Sequence, residues 1–170
     1  MYKELDTKQV NQLTVVRHGW WGPEYELTAG NASYGKLCYD GISKRYATAE
    51  TATNQWTFSF KALFDKSILI TDQNGTLIGE STREFFSRTR TLTLQSGFSA
   101  SFFRPSVWSR QYVWQSVGYG KIMSITNRFP FILNTDVYID QTQTPPSIIP
   151  LLIFLGTHLT ILRRRRRAAH

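Results

Sequence analysis

The sequence predicts an all-β barrel of about 10–12 mostly antiparallel strands that encloses one apolar C-terminal α-helix. Two observations lead to this fold class. Residues 13 to 140 consist of short segments in which apolar and polar residues alternate between turn signals, whereas residues 148 to 162 are almost continuously apolar. A helix that is apolar on all sides must be buried, and a sheet of this size tends to close around a wide interior.

The alternation is clearest in four segments, where apolar residues recur two positions apart, as in a strand with one face in a core. These residues are Trp56, Phe58 and Phe60; Leu92 and Leu94; Phe98, Ala100 and Phe102; and Val137 and Ile139. Asn74-Gly75 predicts a hairpin with a type I′ turn between residues 67–72 and 76–80, and Gln95-Ser96-Gly97 predicts a second hairpin loop.

The apolar segment carries the signals of a helix at about residues 147–162, within a single domain of residues 1–162. Ser147 is the expected N-cap, and Pro150 falls in the first turn, where a missing N–H costs nothing. Gly156 costs about 1 kcal/mol relative to alanine, which is tolerable if another backbone packs closely there. Residues 163–170 are expected to form a basic C-terminal tail.

Two burial sites are open to this helix. Inside a barrel, the small residues Ala47, Ala49 and Thr51 of one strand would give it room. In the alternative, the protein is tail-anchored and residues 148–162 are a short transmembrane helix. That stretch spans only about 22 Å of a bilayer core about 30 Å thick, and it contains Thr157, His158 and Thr160. Hydropathy alone does not distinguish the two.

The charge of the chain is concentrated at one place. The formal net charge is +8, and five of the 20 basic residues are the consecutive arginines 163 to 167. The rest of the chain is nearly balanced, so the average does not indicate a nucleic-acid-binding body. Cys38 is the only cysteine, which excludes an intramolecular disulfide, and no signal peptide precedes the strands. We therefore expect a cytoplasmic protein, peripheral to a membrane if it binds one.

The order of many strands, a proline-bearing connector and an apolar helix resembles the tubby-like barrels. This superfamily includes the tubby C-terminal domain, the phospholipid scramblases and the LURP-one-related proteins. The connector and helix from Pro145 to Gly156 carry the resemblance, together with the preceding strands. It implies a barrel closed around the helix, and binding of phosphoinositide-like headgroups. The acidic calcium segment and cysteine-rich stretch of the scramblases have no counterpart here.

The residues do not predict an enzyme. No Cys or His pair has metal-ligand spacing, the acidic residues form no persuasive catalytic pair, and we expect no cofactor. His158 lies in the apolar helix and is interpreted as a structural histidine that bonds to the barrel wall or to a neighbouring residue. A pocket that held His18 beside an acidic residue would favour an enzyme instead.

The residues therefore predict a non-enzymatic binding or scaffold module that contacts an anionic membrane surface. The candidate anion-binding residues are Arg163, Arg164, Arg165, Arg166, Arg167, Lys44 and Arg45. Nucleic acid is a second partner that the arginines could attract, and a solvated basic segment is the simpler interpretation. A candidate aromatic surface comprises Trp108, Arg110, Tyr112 and Trp114, which share one face if that segment is a strand; aromatic residues also commonly cover barrel walls.

Overall fold

The computed structural model describes residues 1–41, 45–83, 87–128, 134–140 and 143–168. Within these residues, twelve strands form a closed antiparallel barrel and one long helix fills it, which confirms the predicted fold class. The strands are β1 Gln12–His18, β2 Glu24–Ala29, β3 Ala32–Asp40, β4 Tyr46–Thr51, β5 Gln55–Phe60, β6 Ile68–Asp72, β7 Leu77–Arg83, β8 Arg90–Leu94, β9 Ser99–Phe103, β10 Gln111–Ser116, β11 Gly120–Asn127 and β12 Asn134–Ile139. The helix α1 is Ile149–Ala168, preceded by a 3₁₀ turn, Pro146–Ile148.

Each strand pairs with its neighbours in sequence, and the barrel closes where β1 pairs antiparallel with β12, with Leu13 opposite Val137. The alternation predicted from the sequence is confirmed. Trp56 and Phe58 of β5 and Leu92 of β8 face the interior and are buried, while the residues between them face outward. One face of each strand therefore forms the inner wall that surrounds α1.

Both predicted hairpins are present, but the predicted turn type is wrong. The Gly75 N–H donates to the Asp72 carbonyl at 3.0 Å, so the turn is centred on Gln73 and Asn74 rather than on Asn74 and Gly75. Gly75 then follows the turn with a φ of 76°, which makes a three-residue loop. The side chain of Asp72 stabilises this arrangement by accepting hydrogen bonds from the Asn74 and Thr76 N–H groups.

The helix differs from its prediction at both ends. Ser147 lies within the 3₁₀ turn and is not the N-cap, while Pro150 is the second residue of α1, where its missing N–H is harmless. At the other end the helix does not stop at residue 162 but continues through the arginines to Ala168. Arginine is a good helix former, and its charge complements the negative end of the helix dipole.

The middle of the helix is fitted to the wall. Ala47 and Ala49 are completely buried on β4, one of the strands that α1 approaches most closely, as their small size predicted. Gly156 faces side chains rather than the expected backbone: a Cβ there would lie 2.8 Å from Trp114 Nε1 and 2.5 Å from an Ile125 methyl. The missing Cβ leaves space for Trp114 Nε1 to donate to the Leu152 carbonyl at 2.8 Å.

The buried histidine has the wall partner that the sequence predicted. His158 Nδ1 lies 2.8 Å from the hydroxyl of Tyr39 on β3, and its ring stacks on Phe58 at 5.7 Å between centroids. Burial raises the pKa of Tyr39 well above its usual range, so its hydroxyl keeps its proton. This polar pair fixes the rotation of α1 against β3.

By length and mean hydropathy the segment Pro146–Arg166 could also cross a membrane, but 72% of its most apolar window is buried inside the protein. The helix runs through the barrel from one end to the other. Where its arginines emerge, the described connections are residues 19–23, 61–67 and 104–110; we call this the arginine end. At the opposite end lie the 3₁₀ turn and residues 30–31, 52–54, 73–76, 95–98 and 117–119.

Candidate anion-binding cleft at the arginine end

A cleft of about 530 Å³ opens beside the C-terminal turns of α1. Five of its nine lining residues are arginines, and the others are neutral. The lining comprises Arg83, Arg88, Arg104, Pro105, Ser106, Val107, Tyr112, Arg163 and Arg166. We call this the arginine cleft.

Alternating strand direction explains why these arginines meet. Arg83 is the last residue of β7 and Arg104 directly follows β9, so both lie where odd-numbered strands end. Arg88 precedes β8, which starts at the same end. The helix begins at the opposite end and delivers Arg163 and Arg166 to this one.

The ring of Tyr112 orders two of the arginines. The Cζ of Arg163 lies 5.1 Å from the centre of this ring, and the Cζ of Arg104 lies 5.7 Å from it. Arg163 is also 5.6 Å from the ring of Phe102. The negative faces of aromatic rings attract guanidinium groups, so these rings hold two like charges in neighbouring positions.

Backbone carbonyls also position the side chains of Arg104 and Arg163. Arg104 donates from Nε to the Ser109 carbonyl at 2.8 Å and from Nη2 to the Val107 carbonyl at 2.7 Å. Arg163 donates from Nη2 to the Arg88 carbonyl at 2.7 Å. A carbonyl fixes a guanidinium without neutralising its charge, which therefore remains available to an anion.

Arg90, the first residue of β8, adds a buried charge near the cleft. It is 4% exposed and donates to the backbone carbonyls of Ser81 and Lys66. Desolvation, and then the charges of Arg166, Arg163 and Arg83, lower the pKa of Arg90 to about 10, so it stays charged at neutral pH. Burial also lowers the pKa of Arg163 and that of Arg164. Positive charge is thus concentrated here at an electrostatic cost.

Within the described part of the chain, no carboxylate forms an ion pair with an arginine of the cleft. The six ion pairs found there join other residues, for example Lys36 with Glu50 at 3.6 Å and Arg128 with Asp136 at 2.7 Å. The charge of the cleft is therefore not balanced by the described residues that line it.

A second, smaller cleft of about 390 Å³ lies nearby and shares Arg166 with the first. Its lining combines charge with apolar side chains: Arg45, Phe60, Leu63, Phe64, Asp65, Lys66 and Arg166. The N–H and hydroxyl of Ser67 lower the pKa of Asp65, which therefore stays ionised. The two clefts place Arg166 between two groups of exposed loop residues.

The structure brings together part of the predicted anion-binding set. Arg163 and Arg166 line the arginine cleft, Arg45 lies in the second cleft, and Arg164 and Arg165 occupy other faces of the same helix end. Lys44 and the side chain of Arg167 lie outside the described residues. The sequence interpretation missed Arg83, Arg88 and Arg104. Their position at strand ends that face the helix C-terminus was the available signal.

The predicted aromatic surface is wrong. Tyr112 and Trp114 are buried because they point into the barrel, whereas Trp108 is exposed in the loop before β10. Arg110 also precedes the strand, so the four residues do not share a face. The simpler interpretation, in which aromatic residues build the barrel wall, holds for Tyr112 and Trp114.

The remaining candidate chemistry lies on the outer wall. His18 Nε2 is 2.9 Å from Glu26 Oε2, but the histidine side chain is 54% exposed on the outside of β1 and β2. In the described parts of the chain, no group of three or more His, Cys, Asp or Glu side chains could hold a metal ion. Burial raises the pKa of the Cys38 thiol to about 11, which makes it a weak nucleophile at neutral pH.

Comparison with known proteins adds no further assignment. The chain matches no protein-family model, no curated protein and no solved structure.

Proposed function

We propose that this protein is a non-enzymatic binding module of the tubby-like type that contacts anionic lipid headgroups through the arginine cleft. It would act at the cytoplasmic face of a membrane as a peripheral protein. The observation that carries the proposal is the convergence of Arg83, Arg88, Arg104, Arg163 and Arg166 on one cleft whose other lining residues are neutral. Twelve antiparallel strands around one C-terminal helix are compatible with the tubby-like fold.

The chemistry of guanidinium groups favours an oxyanion as the ligand. A guanidinium presents planar N–H donors that match the oxygens of phosphate and carboxylate, and it stays protonated at physiological pH. Such groups bind and orient oxyanions rather than exchange protons with a substrate, which favours binding over catalysis. Each basic residue near an anionic bilayer contributes about 1 kcal/mol to association.

Removing charge from the cleft tests this proposal. In Arg83→Gln/Arg88→Gln/Arg166→Gln, three exposed arginines lose their charge while Arg104 and Arg163 keep their hydrogen bonds. At low salt, binding to phosphatidylcholine vesicles that contain phosphatidylserine should weaken by about 3 kcal/mol, or about a hundredfold. Vesicle sedimentation measures the change, and neutral phosphatidylcholine vesicles give the background.

The matched control removes the same charge elsewhere. Lys3→Gln/Lys8→Gln/Lys121→Gln changes three exposed lysines away from the arginine end, and it should bind anionic vesicles nearly as the unaltered protein does. Equal losses in the two variants would show that only net charge matters and would overturn the cleft as the site. Thermal unfolding of both variants verifies that they are folded.

The same experiments distinguish two alternatives: binding of nucleic acid, and a tail-anchored membrane protein. A single-stranded oligonucleotide that displaces the protein from vesicles, and binds more tightly than they do, would point to nucleic acid. A full-length protein that resists extraction of the vesicles with high salt would point to the tail-anchored alternative, because a peripheral electrostatic contact is screened by salt.

A further inference from the structure

Among the residues that the structure describes, six large apolar side chains stand exposed at the arginine end, and binding of an anion by the arginines would not explain their exposure. Trp20 and Trp21 lie in the β1–β2 loop, Leu63 and Phe64 in the β5–β6 loop, and Val107 and Trp108 in the β9–β10 loop. They are between 60% and 101% exposed. We call them the apolar tips. All three loops follow odd-numbered strands, so all three lie at this end.

The arginines themselves hold two of these loops in place. Arg104 donates to the carbonyls of Val107 and Ser109, which flank Trp108. Buried Arg90 donates to the Lys66 carbonyl, and Lys61 N–H donates to the Ser67 carbonyl at 3.1 Å, which closes the loop that carries Leu63 and Phe64. Four of the six tips, those of the β5–β6 and β9–β10 loops, are therefore presented by a hydrogen-bonded framework.

Charge and apolar surface also share the same clefts. Val107 lines the arginine cleft with Arg163, and Leu63 and Phe64 line the second cleft with Arg166. An anionic bilayer matches this combination: its headgroups take cations, and the adjoining interface takes Trp, Phe and Leu side chains. A soluble anion would satisfy only the arginines, and an uncharged apolar partner would satisfy only the tips.

We infer that the protein docks end-on, with the apolar tips inserted into the interface of an anionic bilayer and α1 pointing its C-terminus at the membrane. This inference rests on the proposed function and adds the insertion, the residues that insert and the orientation. The barrel axis would stand steeply to the membrane plane, because the three loops surround the end of the helix rather than one side of the wall.

Tryptophan fluorescence tests insertion directly. Trp20, Trp21 and Trp108 are tips, whereas Trp56 and Trp114 are buried in the barrel. Phosphatidylserine vesicles whose acyl chains carry bromine should quench the fluorescence of the bound protein and shift the remaining emission to the blue. Vesicles with unbrominated chains provide the reference.

A pair of variants tests which residues insert. Leu63→Ser/Phe64→Ser keeps all five tryptophans and every arginine, and it should weaken binding to anionic vesicles by about tenfold or more. The matched control, Leu77→Ser/Val117→Ser, removes two exposed apolar side chains away from the arginine end and should bind as the unaltered protein does.

The outcomes separate the two proposals. Binding without bromine quenching, unchanged by Leu63→Ser/Phe64→Ser, overturns insertion and leaves headgroup binding in the cleft standing. Binding that the serine pair weakens while the three arginine substitutions do not overturns the cleft and supports insertion. Tips that pair with a second copy of the chain, so that the serine pair abolishes a dimer seen by sedimentation while vesicles are not bound, overturn both.

Discussion

The two ends of the barrel differ in charge and exposed apolar surface rather than in available space. A cleft of about 780 Å³ at the opposite end exceeds the arginine cleft of about 530 Å³. Its lining contains neutral residues, many of them serine and glycine, such as Ser96, Gly97 and Ser99. Lys121, near that end, is paired with Asp140 at 3.6 Å. Cleft volume therefore does not distinguish the two ends, whereas the charge that the described residues leave unpaired does.

This difference shows how one helix can serve two purposes. Its first four turns are an apolar core that both ends share, and its last turns deliver arginines to only one end. If the helix only filled the barrel interior, it could end at Leu162, where its apolar segment ends. The continuation of the helix through the arginines places Arg163 and Arg166 beside β7, β8 and β9.

Deleting the helix should have the largest effect, because it removes the core common to both ends. A chain of residues 1–144 leaves the inner wall without the side chains that fill it, such as Leu152, Phe154 and Leu155. We expect no cooperative thermal transition, measured by circular dichroism, and an insoluble product. A soluble, folded truncation beside a membrane-bound full-length protein would instead establish the tail-anchored alternative.

Gly156→Ala tests how closely the middle of the helix packs against the wall, away from both ends of the barrel. The added Cβ collides with Trp114 and Ile125, and overpacking costs about 1–3 kcal/mol, which outweighs the gain of about 1 kcal/mol in helix propensity. We expect a lower free energy of unfolding in urea and unchanged vesicle binding. Gly118→Ala is the control, since a Cβ at Gly118 meets nothing within 4 Å. Equal stability of the two variants would contradict the close fit of α1.

Cysteine labelling compares the ends on the membrane. With its pKa raised to about 11, Cys38 holds about a hundredfold less thiolate than an exposed cysteine at neutral pH and gives a low background. Trp108→Cys and Val117→Cys place reactive thiols at the two ends. Anionic vesicles should slow the reaction of a water-soluble maleimide severalfold at residue 108 and leave it unchanged at residue 117. Equal protection at both positions would rule out end-on docking.

The smallest effect expected is that of pH on vesicle binding. Burial lowers the folded-state pKa of Arg90, so its charge is lost only as the pH rises through about 10, and it is fully present below that. Binding should therefore change by less than about twofold between about pH 6 and pH 9. A marked loss across that range would assign the binding to groups that titrate near neutrality, such as histidine.

The fold was largely predictable because one physical signal dominates each part. The period-two pattern of Trp56 and Phe58 can bury only one face of a strand, and a helix as apolar as residues 148–162 needs a surrounding wall. The turn at Asn74 and the end of the helix were mispredicted because two other local preferences outweigh those that were used. The carboxylate of Asp72 selects the turn, and the helix propensity of arginine allows the helix to continue past Leu162.

The site was only half predictable. Arg163 and Arg166 were found because they are consecutive with the apolar helix, but Arg83, Arg88 and Arg104 come from separate loops and meet them only through the closed topology. The predicted face of Tyr112 and Trp114 failed because strand alternation says which residues share a side but not which side faces inward. In a closed antiparallel barrel, odd-numbered strands end and even-numbered strands begin at the same end. This rule would have placed all five arginines at one end.

The enclosure of α1 also constrains how the chain folds. The helix follows all twelve strands, so its core side chains are synthesised after the wall that surrounds them. If the barrel closed first, entry of the helix would drag several guanidinium groups through an apolar interior, at a desolvation penalty of several kcal/mol for each. Strands that wrap around a helix already in place avoid this penalty, and β1 and β12, the neighbouring strands most distant in sequence, would then pair around it. Contacts so distant in sequence make for slow folding, during which the unclosed sheet has edges to protect.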